Sequence, residues 1–364
     1  MKTRMMKILL MSIVLSLSFV SCQDSNVVNS DNQVPRVDNV ILMIGDGMSL
    51  PQIYGAMLAV DYPLEFMRFP VTGIVTTKSA DKGITDSAAA GTAIATGEKT
   101  RNGMLGMTAD SIAIPSMLEI FASQGKETGI VVTSHIVHAT PAAFYGKNIK
   151  RSNYEDLAEQ LVQDTSISLI MGGGRTYFTN RKDGKNLLQL MSEQGWNVYD
   201  TITDVDNAAG RIALIAAEKH LPDVEHRKDF LPQAVSIALD RLDKSSNGFF
   251  LMVEGSKIDM ACHDNDSTQM VAEMLDFNQA IKVAYDYAQT HSNTLLIVTA
   301  DHETGGLTFV DPQGKYTNIT YNFSTSSHSA LPVPIFAYGP GAELFSGWMD
   351  NTDIINKIFM ATQQ

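Results

Sequence analysis

Four short apolar runs in this chain each end in residues that bind cations or move protons. VDNVILMIGDGM ends in Asp46, and KETGIVVTSHIVHATP ends in His135, His138 and Thr140. NGFFLMVEGSKIDMACHD ends in Glu254, Asp259 and His263, and NTLLIVTADHETGG in Asp301 and His302. Each is rich in Ile, Leu and Val and lacks polar alternation, the pattern of strands buried on both faces. Helical stretches such as NYEDLAEQLVQD and MVAEMLDFNQAIKVAYDYAQ separate them. The alternation predicts a three-layer α/β/α fold with a mostly parallel central sheet. In such folds sites form outside the carboxyl ends of the strands, where these side chains lie.

Taken singly, most of these residues also suit structural roles. Asp46 between glycines fits a turn, Asp301 fits a capped turn, and His302 fits a hydrogen-bonded loop. Asp259 and His263 are four apart, so they share a helix face and could form an exposed ion pair. Glu254 is harder to explain away, because a carboxylate directly after FFLMV is desolvated and needs a cation. The coincidence at four strand ends carries the inference. Asp, Glu and His without Cys form a ligand set for zinc or magnesium. His220, His226 and His291 sit among polar residues and read as surface, and His135 reads as packing or as support for a ligand.

Residues 84–97, ITDSAAAGTAIATG, carry almost no bulk. Thr85, Asp86 and Ser87 are all good N-cap residues, and Ala favours helix, so a structural reading suffices for the run alone. Beside a metal site the run gains a purpose. Small side chains would let the helix pack closely enough to bring Ser87 to the metals. There the helix N-terminus favours an oxyanion, and a divalent cation would activate the hydroxyl as a nucleophile. A membrane-spanning reading fails, since Thr85, Asp86, Glu98, Lys99 and Arg101 flank a segment too short to cross.

MKTRMMKILLMSIVLSLSFVSC reads as a signal peptide over residues 1–21, with Cys22 resembling a lipoprotein acylation site. Ordinary signal cleavage nearby is the alternative. Residues 22–36 form a polar tether, and 37–364 are read as one domain. The expected location is a bacterial envelope or periplasm, with membrane attachment through lipid on Cys22. Only Cys22 and Cys262 exist, so acylation of Cys22 leaves no intramolecular disulfide. Loss of residues 1–21 removes three positive and no negative charges, moving the formal charge from -13 to -16. That argues against nucleic acid or an anionic membrane surface as partner.

IGDGM, TDSAA followed by ATG and NG, HATPAA, R-x-x-YE, MGGGR, VEG-x-x-ID-x-x-x-H, TADHE and a late His before PIFAYGPGA resemble the alkaline phosphatase family. The blocks stand in that family's order from residue 40 to 342. The resemblance implies hydrolysis of phosphate monoesters through a phosphoserine at two Zn2+ and one Mg2+. It implies that Asp46 bridges the second zinc and the magnesium, and that Asp301, His302 and the nucleophile Ser87 complete that zinc. Asp259, His263 and His328 would hold the first zinc, and Thr140 and Glu254 the magnesium. Arg151, eleven residues after Thr140, matches the phosphate-clamping arginine; its fork suits two phosphoryl oxygens. By itself Arg151 reads as surface, within KNIKRSNYE. The resemblance leaves a homodimer open.

Departures bear on these expectations. His138 stands where some members have Asp and others His. Met260 stands where others place Lys or His near the phosphate. The 25 residues between His302 and His328 leave no room for the crown of some relatives. The stretch from Ser152 to Phe249 matches least and is expected to form a lid. Competing readings are a phosphodiesterase, sulfatase or phosphonate hydrolase of the same superfamily, and a lipid-anchored phosphate-binding protein without turnover. TDSAAAG lacks the Cys/Ser-x-Pro-x-Arg context of a sulfatase.

Overall fold

The computed structural model describes residues 36–205, 210–315 and 318–363, so the signal-like segment, Cys22 and nearly all of the tether lie outside the described residues. The unbroken apolar run NVILMIG forms β1 (Asn39–Gly45), buried at every position. Next come β2 (Val71–Thr76), β3 (Glu127–His135), β4 (Leu169–Gly173), β5 (Trp196–Tyr199) and β6 (Arg211–Ile215). The chain continues through β7 (Phe249–Gly255), β8 (Thr294–Thr299) and four short strands. These are β9 (Glu303–Thr304), β10 (Leu307–Val310), β11 (Thr320–Phe323) and β12 (His328–Ser329). Two more, β13 (Val333–Tyr338) and β14 (Gly347–Asp350), follow.

Ten strands form one sheet in the order β14-β2-β13-β8-β1-β7-β3-β4-β6-β5. Within it only β13 is antiparallel to its neighbours, β2 and β8. Helices cover both faces, as buried strands require. Phe230–Leu242 and Ser267–Thr290 pack together in one layer, and Ser87–Thr96 meets Met117–Ser123, Ala139–Ala142 and Asp353–Thr362 in the other. Met270, Met274, Phe277, Ile281, Ala284 and Ala288 recur every three or four residues, so one stripe of Ser267–Thr290 is buried. The expected α/β/α architecture is the one observed.

The four runs singled out in the sequence become β8, β1, β7 and β3, side by side at the centre of the sheet. Their register is level: Ile44 lies opposite both Glu254 and Thr299, and Val132 also lies opposite Glu254. Residues just beyond these positions therefore emerge at one height on the carboxyl edge.

Asp86 caps the helix Ser87–Thr96, its carboxylate accepting from the Ala89 N–H at 3.0 Å, and Gly97 closes it at φ +76°. Every helical residue but Thr96 is buried. A Cβ on Gly91 would stand 3.1 Å from the Ala143 Cβ and 3.5 Å from the Thr140 Cα. The small residues thus set how closely this helix approaches the one that carries Thr140.

Two expectations meet different fates. The described residues of 303–327 form β9 and the β10–β11 hairpin, and 25 residues leave no room for a crown. The stretch 152–249 is not a lid. It contributes β4, β5 and β6 to the sheet and a packed helix, because LIMGG and RIALI are buried strand sequences. One connection of it, residues 216–228 with the short helix Val224–Arg227, comes near the site through His220. Arg227 anchors that connection on the buried carboxylates of Glu273 and Asp276.

Replacing Gly91 with Leu should overpack the junction of the two helices and cost about 1–3 kcal/mol. Urea unfolding would show a lower midpoint at unchanged slope; an unchanged midpoint would mean the helices are not in close contact.

Candidate metal centre

Thr304 supplies the hydrogen bond that orients His302. Its Oγ1 donates to Asp259 Oδ1, so toward His302 Nδ1, 3.2 Å away, it can only accept. Nδ1 therefore carries the proton and Nε2 presents its lone pair. That Nε2 lies 3.2 Å from Ser87 Oγ, 3.2 Å from Asp301 Oδ2 and 3.6 Å from Asp46 Oδ1. Asp301 is itself oriented by the Gly47 N–H at 3.1 Å and its own neighbour's N–H at 2.9 Å, both on Oδ1. Lone pairs converging in this way need a cation or a proton between them.

The same logic holds at the second group. His263 Nδ1 donates to the Ser326 carbonyl and His328 Nδ1 to the Thr85 carbonyl, each at 2.8 Å. The two Nε2 atoms then face each other at 3.2 Å, with Asp259 Oδ2 3.3 Å from His263 and Oδ1 3.7 Å from His328. Asp259 and His263 lie on the helix Lys257–His263, one turn apart as their spacing predicts. The β9–β12 pair places His328 opposite Thr304. The rings of His302 and His328 stack with centroids 3.6 Å apart, so the two groups are contiguous.

A third group combines Asp46, Glu254 and His138. One oxygen of Glu254 accepts from Ser256 at 2.6 Å and from Ser134 at 3.3 Å, and the other has no partner. Thr140 lies against Glu254, and its buried Oγ1 has no hydrogen-bond partner. Both Asp46 oxygens and Asp301 Oδ2 are also buried and unpartnered. Buried polar atoms in native proteins are normally satisfied, so this cluster of orphans fits bound cations. The donor atoms of Asp259–His302–His328, Asp46–Asp301–His302 and Asp46–His138–Glu254 lie within 4.8 Å inside each group. The residues present fit divalent cations in donor type and placement.

Electrostatics agree with the geometry. Burial raises Asp46 well above the usual carboxylate range, reinforced by the charges of Asp301 and Asp259. Burial also pushes Glu254 up to about 7 and Asp301 up to about 6. Burial would raise Asp259 too, but the His263 hydrogen bond and neighbouring imidazoles outweigh it and hold it low. The Asp259 hydrogen bond raises His263 to about 9, whereas burial drives His302 and His138 well below the normal imidazole range.

Ser87 occupies the first helical position, not the cap; Asp86 is the cap and does more than the sequence revealed. Its second oxygen accepts from the Gly103 N–H at 3.0 Å and from Arg151 Nη1 at 3.1 Å. Arg151, read alone as surface, is about one-quarter exposed, with Nη2 3.3 Å from His138 Nε2. Among the described residues these two contacts leave guanidinium N–H donors available to an anion.

His220 corrects a sequence expectation. It is not a plain surface residue: its ring lies 4.4 Å from that of His135, and its Nδ1 accepts from the His135 N–H at 3.4 Å. The connection 216–228 brings it there, which local polarity could not reveal. His226 is exposed as expected, and His135 packs among His138, Tyr154 and Tyr177. Thr304 and Ser256 were missed altogether. Both lie inside the quoted motifs, but hydroxyls next to ligands have no pattern of their own.

A mostly parallel α/β sheet with carboxylates and imidazoles converging on a helix-terminal serine at its carboxyl edge defines a metal-dependent hydrolase. Residues 37–322 match the family model for alkaline phosphatase. Alkaline phosphatase 4 of Bacillus subtilis is 35% identical over 89% of this chain and 88% of its own length. The alkaline phosphatase of Escherichia coli is 28% identical, over 87% and 84%. The structure of alkaline phosphatase from the Antarctic bacterium TAB5 superposes with a TM-score of 0.87 at 37% identity, covering 91% of this chain and 99% of that one. The chain belongs to the alkaline phosphatase family, and it is a phosphatase.

The raised imidazole sets a pH dependence. In metal-free protein the Asp259 hydrogen bond lets His263 keep a proton to about 9, while the unfolded chain has lost it by about pH 7.5. The folded form then binds more protons, so its stability falls as pH rises through this window. Divalent cations bound at the site would take the place of that proton. Thermal unfolding between pH 7 and 9 should show a falling midpoint after chelation and a nearly level one with Zn2+ and Mg2+ restored.

Proposed function

We propose that this phosphatase hydrolyses phosphate monoesters through a phosphoserine on Ser87, at a site that takes two Zn2+ and one Mg2+. The observation that carries this reading is the set of unpartnered buried atoms on Asp46, Asp301, Glu254 and Thr140, gathered beside a serine whose Oγ lies 3.2 Å from His302 Nε2. Asp301 and His302 would hold the ion next to Ser87, and Asp259, His263 and His328 its partner. Asp46 would join the first of these to the magnesium, which Glu254 and Thr140 share. His138 would be a further donor to that ion once its Nε2 is released from Arg151. Bound ions would lower the pKa of the Ser87 hydroxyl and of an attacking water, and offset charge on the transferring oxygens.

The chain's own residues supply the rest. Ser87 attacks phosphorus as the alcohol leaves, and water then releases phosphate from the serine. Arg151, pre-oriented by Asp86, presents parallel N–H groups to two phosphoryl oxygens. The amino end of the helix Ser87–Thr96 adds its dipole where charge accumulates. A mutant TAB5 alkaline phosphatase has Mg bound in its M3 site, which supports magnesium as one of the three ions. Arg151 and the Asp46–Thr140–Glu254 group favour monoesters over diesters.

Ser87→Ala should abolish aryl phosphate turnover while bound zinc and magnesium stay unchanged; persistent hydrolysis would remove Ser87 as nucleophile. Asp301→Ala should instead lower the zinc content measured on purified protein, and full zinc occupancy would argue against its ligand role. The same assay with a diester separates the monoesterase from its superfamily siblings.

Export and acylation at Cys22 complete the proposal. The basic start, apolar run and Ser21-Cys22 pair support them. Fatty-acid labelling of the full chain in a bacterial host should be lost in Cys22→Ser; label retained in that variant would rule the site out.

A further inference from the structure

We propose that the Thr304 hydroxyl is a positioning group that couples the two zinc-binding halves of the centre, holding His302 in the tautomer that ligates through Nε2 and Asp259 in its ligating orientation. This rests on the metal reading above and assigns a role to a residue outside the ligand set. Three observations carry it. The hydroxyl joins a ligand of one half, His302, to a ligand of the other, Asp259. A hydroxyl has one proton, so donation to the carboxylate leaves only its lone pairs for the imidazole. The backbone of Thr304 also pairs with that of His328, a second ligand of the Asp259 half.

The surroundings remove substitutes for this contact. Thr304 and His302 are fully buried, and Asp259 is 6% exposed. Gly47 closes over the hydroxyl at φ +72°, where a Cβ would stand 2.8 Å from both Thr304 Oγ1 and the Asp259 Cα. Among the described residues His302 Nδ1 has no other hydrogen-bond partner. Without the hydroxyl, the imidazole has no acceptor to select its Nδ1–H form, and the carboxylate loses a donor. Outer-shell partners of this kind typically tune metal affinity 10–100-fold. Here a single group acts on both halves.

The test compares wild type, Thr304→Val and Thr304→Ser, each stripped with a chelator and titrated with Zn2+ by calorimetry. Valine keeps the shape and removes the hydroxyl; serine keeps the hydroxyl. Binding at both zinc sites should weaken by about 10–100-fold in the valine variant and return close to wild type with serine. Weakening confined to one site, no weakening, or a serine variant as impaired as the valine one would overturn the coupling. Nitrogen-15 NMR of the metal-free wild type gives a readout independent of the variants and of activity. His302 should carry its proton on Nδ1, and a proton on Nε2 instead would refute the proposal. Wild type that binds fewer than two Zn2+ ions tightly would sink the metal reading itself, which the variants alone cannot do.

Discussion

Buried negative charge is the constraint around which this molecule is arranged. Asp46, Glu254 and Asp301 are wholly buried, and Asp259 nearly so, within one small volume at the carboxyl edge of the sheet. Arg151, a neighbouring cation, is already tied to Asp86. Carboxylates in such a place must be neutralised by protons or cations, or they unfold the region. The raised proton affinities of Asp46, Glu254 and Asp301 express that demand in the absence of ions. A phosphate ester brings further negative charge, so the demand and the catalytic task call for the same remedy.

Meeting that demand takes more than the ligands. His263, His328 and His302 each have Nδ1 tied to an acceptor: the Ser326 carbonyl, the Thr85 carbonyl and the Thr304 hydroxyl. Every Nε2 is thereby turned toward the centre, and that of His263 shares its proton with Asp259 until the proton is lost. Glu254 is handled similarly, with serine hydroxyls on one oxygen and none on the other. This outer layer turns a cluster of acids and bases into a set of oriented donors, without conformational search when an ion or substrate arrives.

Much of the centre was legible because its chemistry breaks local rules. Glu254 directly after FFLMV cannot be an ordinary strand residue, and Asp46, Asp301 and His302 follow equally apolar runs. The spacing of Asp259 and His263 already implied a shared helix face. His220 and the stretch 152–249 were misread for one reason: polarity and motif density are local, whereas burial depends on what packs on top. Two strands of that stretch, LIMGG and RIALI, carry the buried pattern in miniature, but at five residues each they are short beside the flanking polar segments. Thr304 carried no signal of its own, and Asp86 read only as a helix-cap residue. Their second contacts, to Asp259 and Arg151, cross 45 and 65 residues of chain.

The sequence by itself determined the element types, the fold class and the kinds of atom available to a cation, because apolar runs, helix periodicity and side-chain chemistry are properties of neighbouring residues. Tertiary structure decided that β8, β1, β7 and β3 lie side by side and in level register, which alone makes four separate strand ends into one site. It also decided which nitrogen of each imidazole faces inward, since that depends on one hydrogen bond to a group distant in the chain or set by the local fold. Pairing and tautomer are relations between segments, and no single segment encodes them.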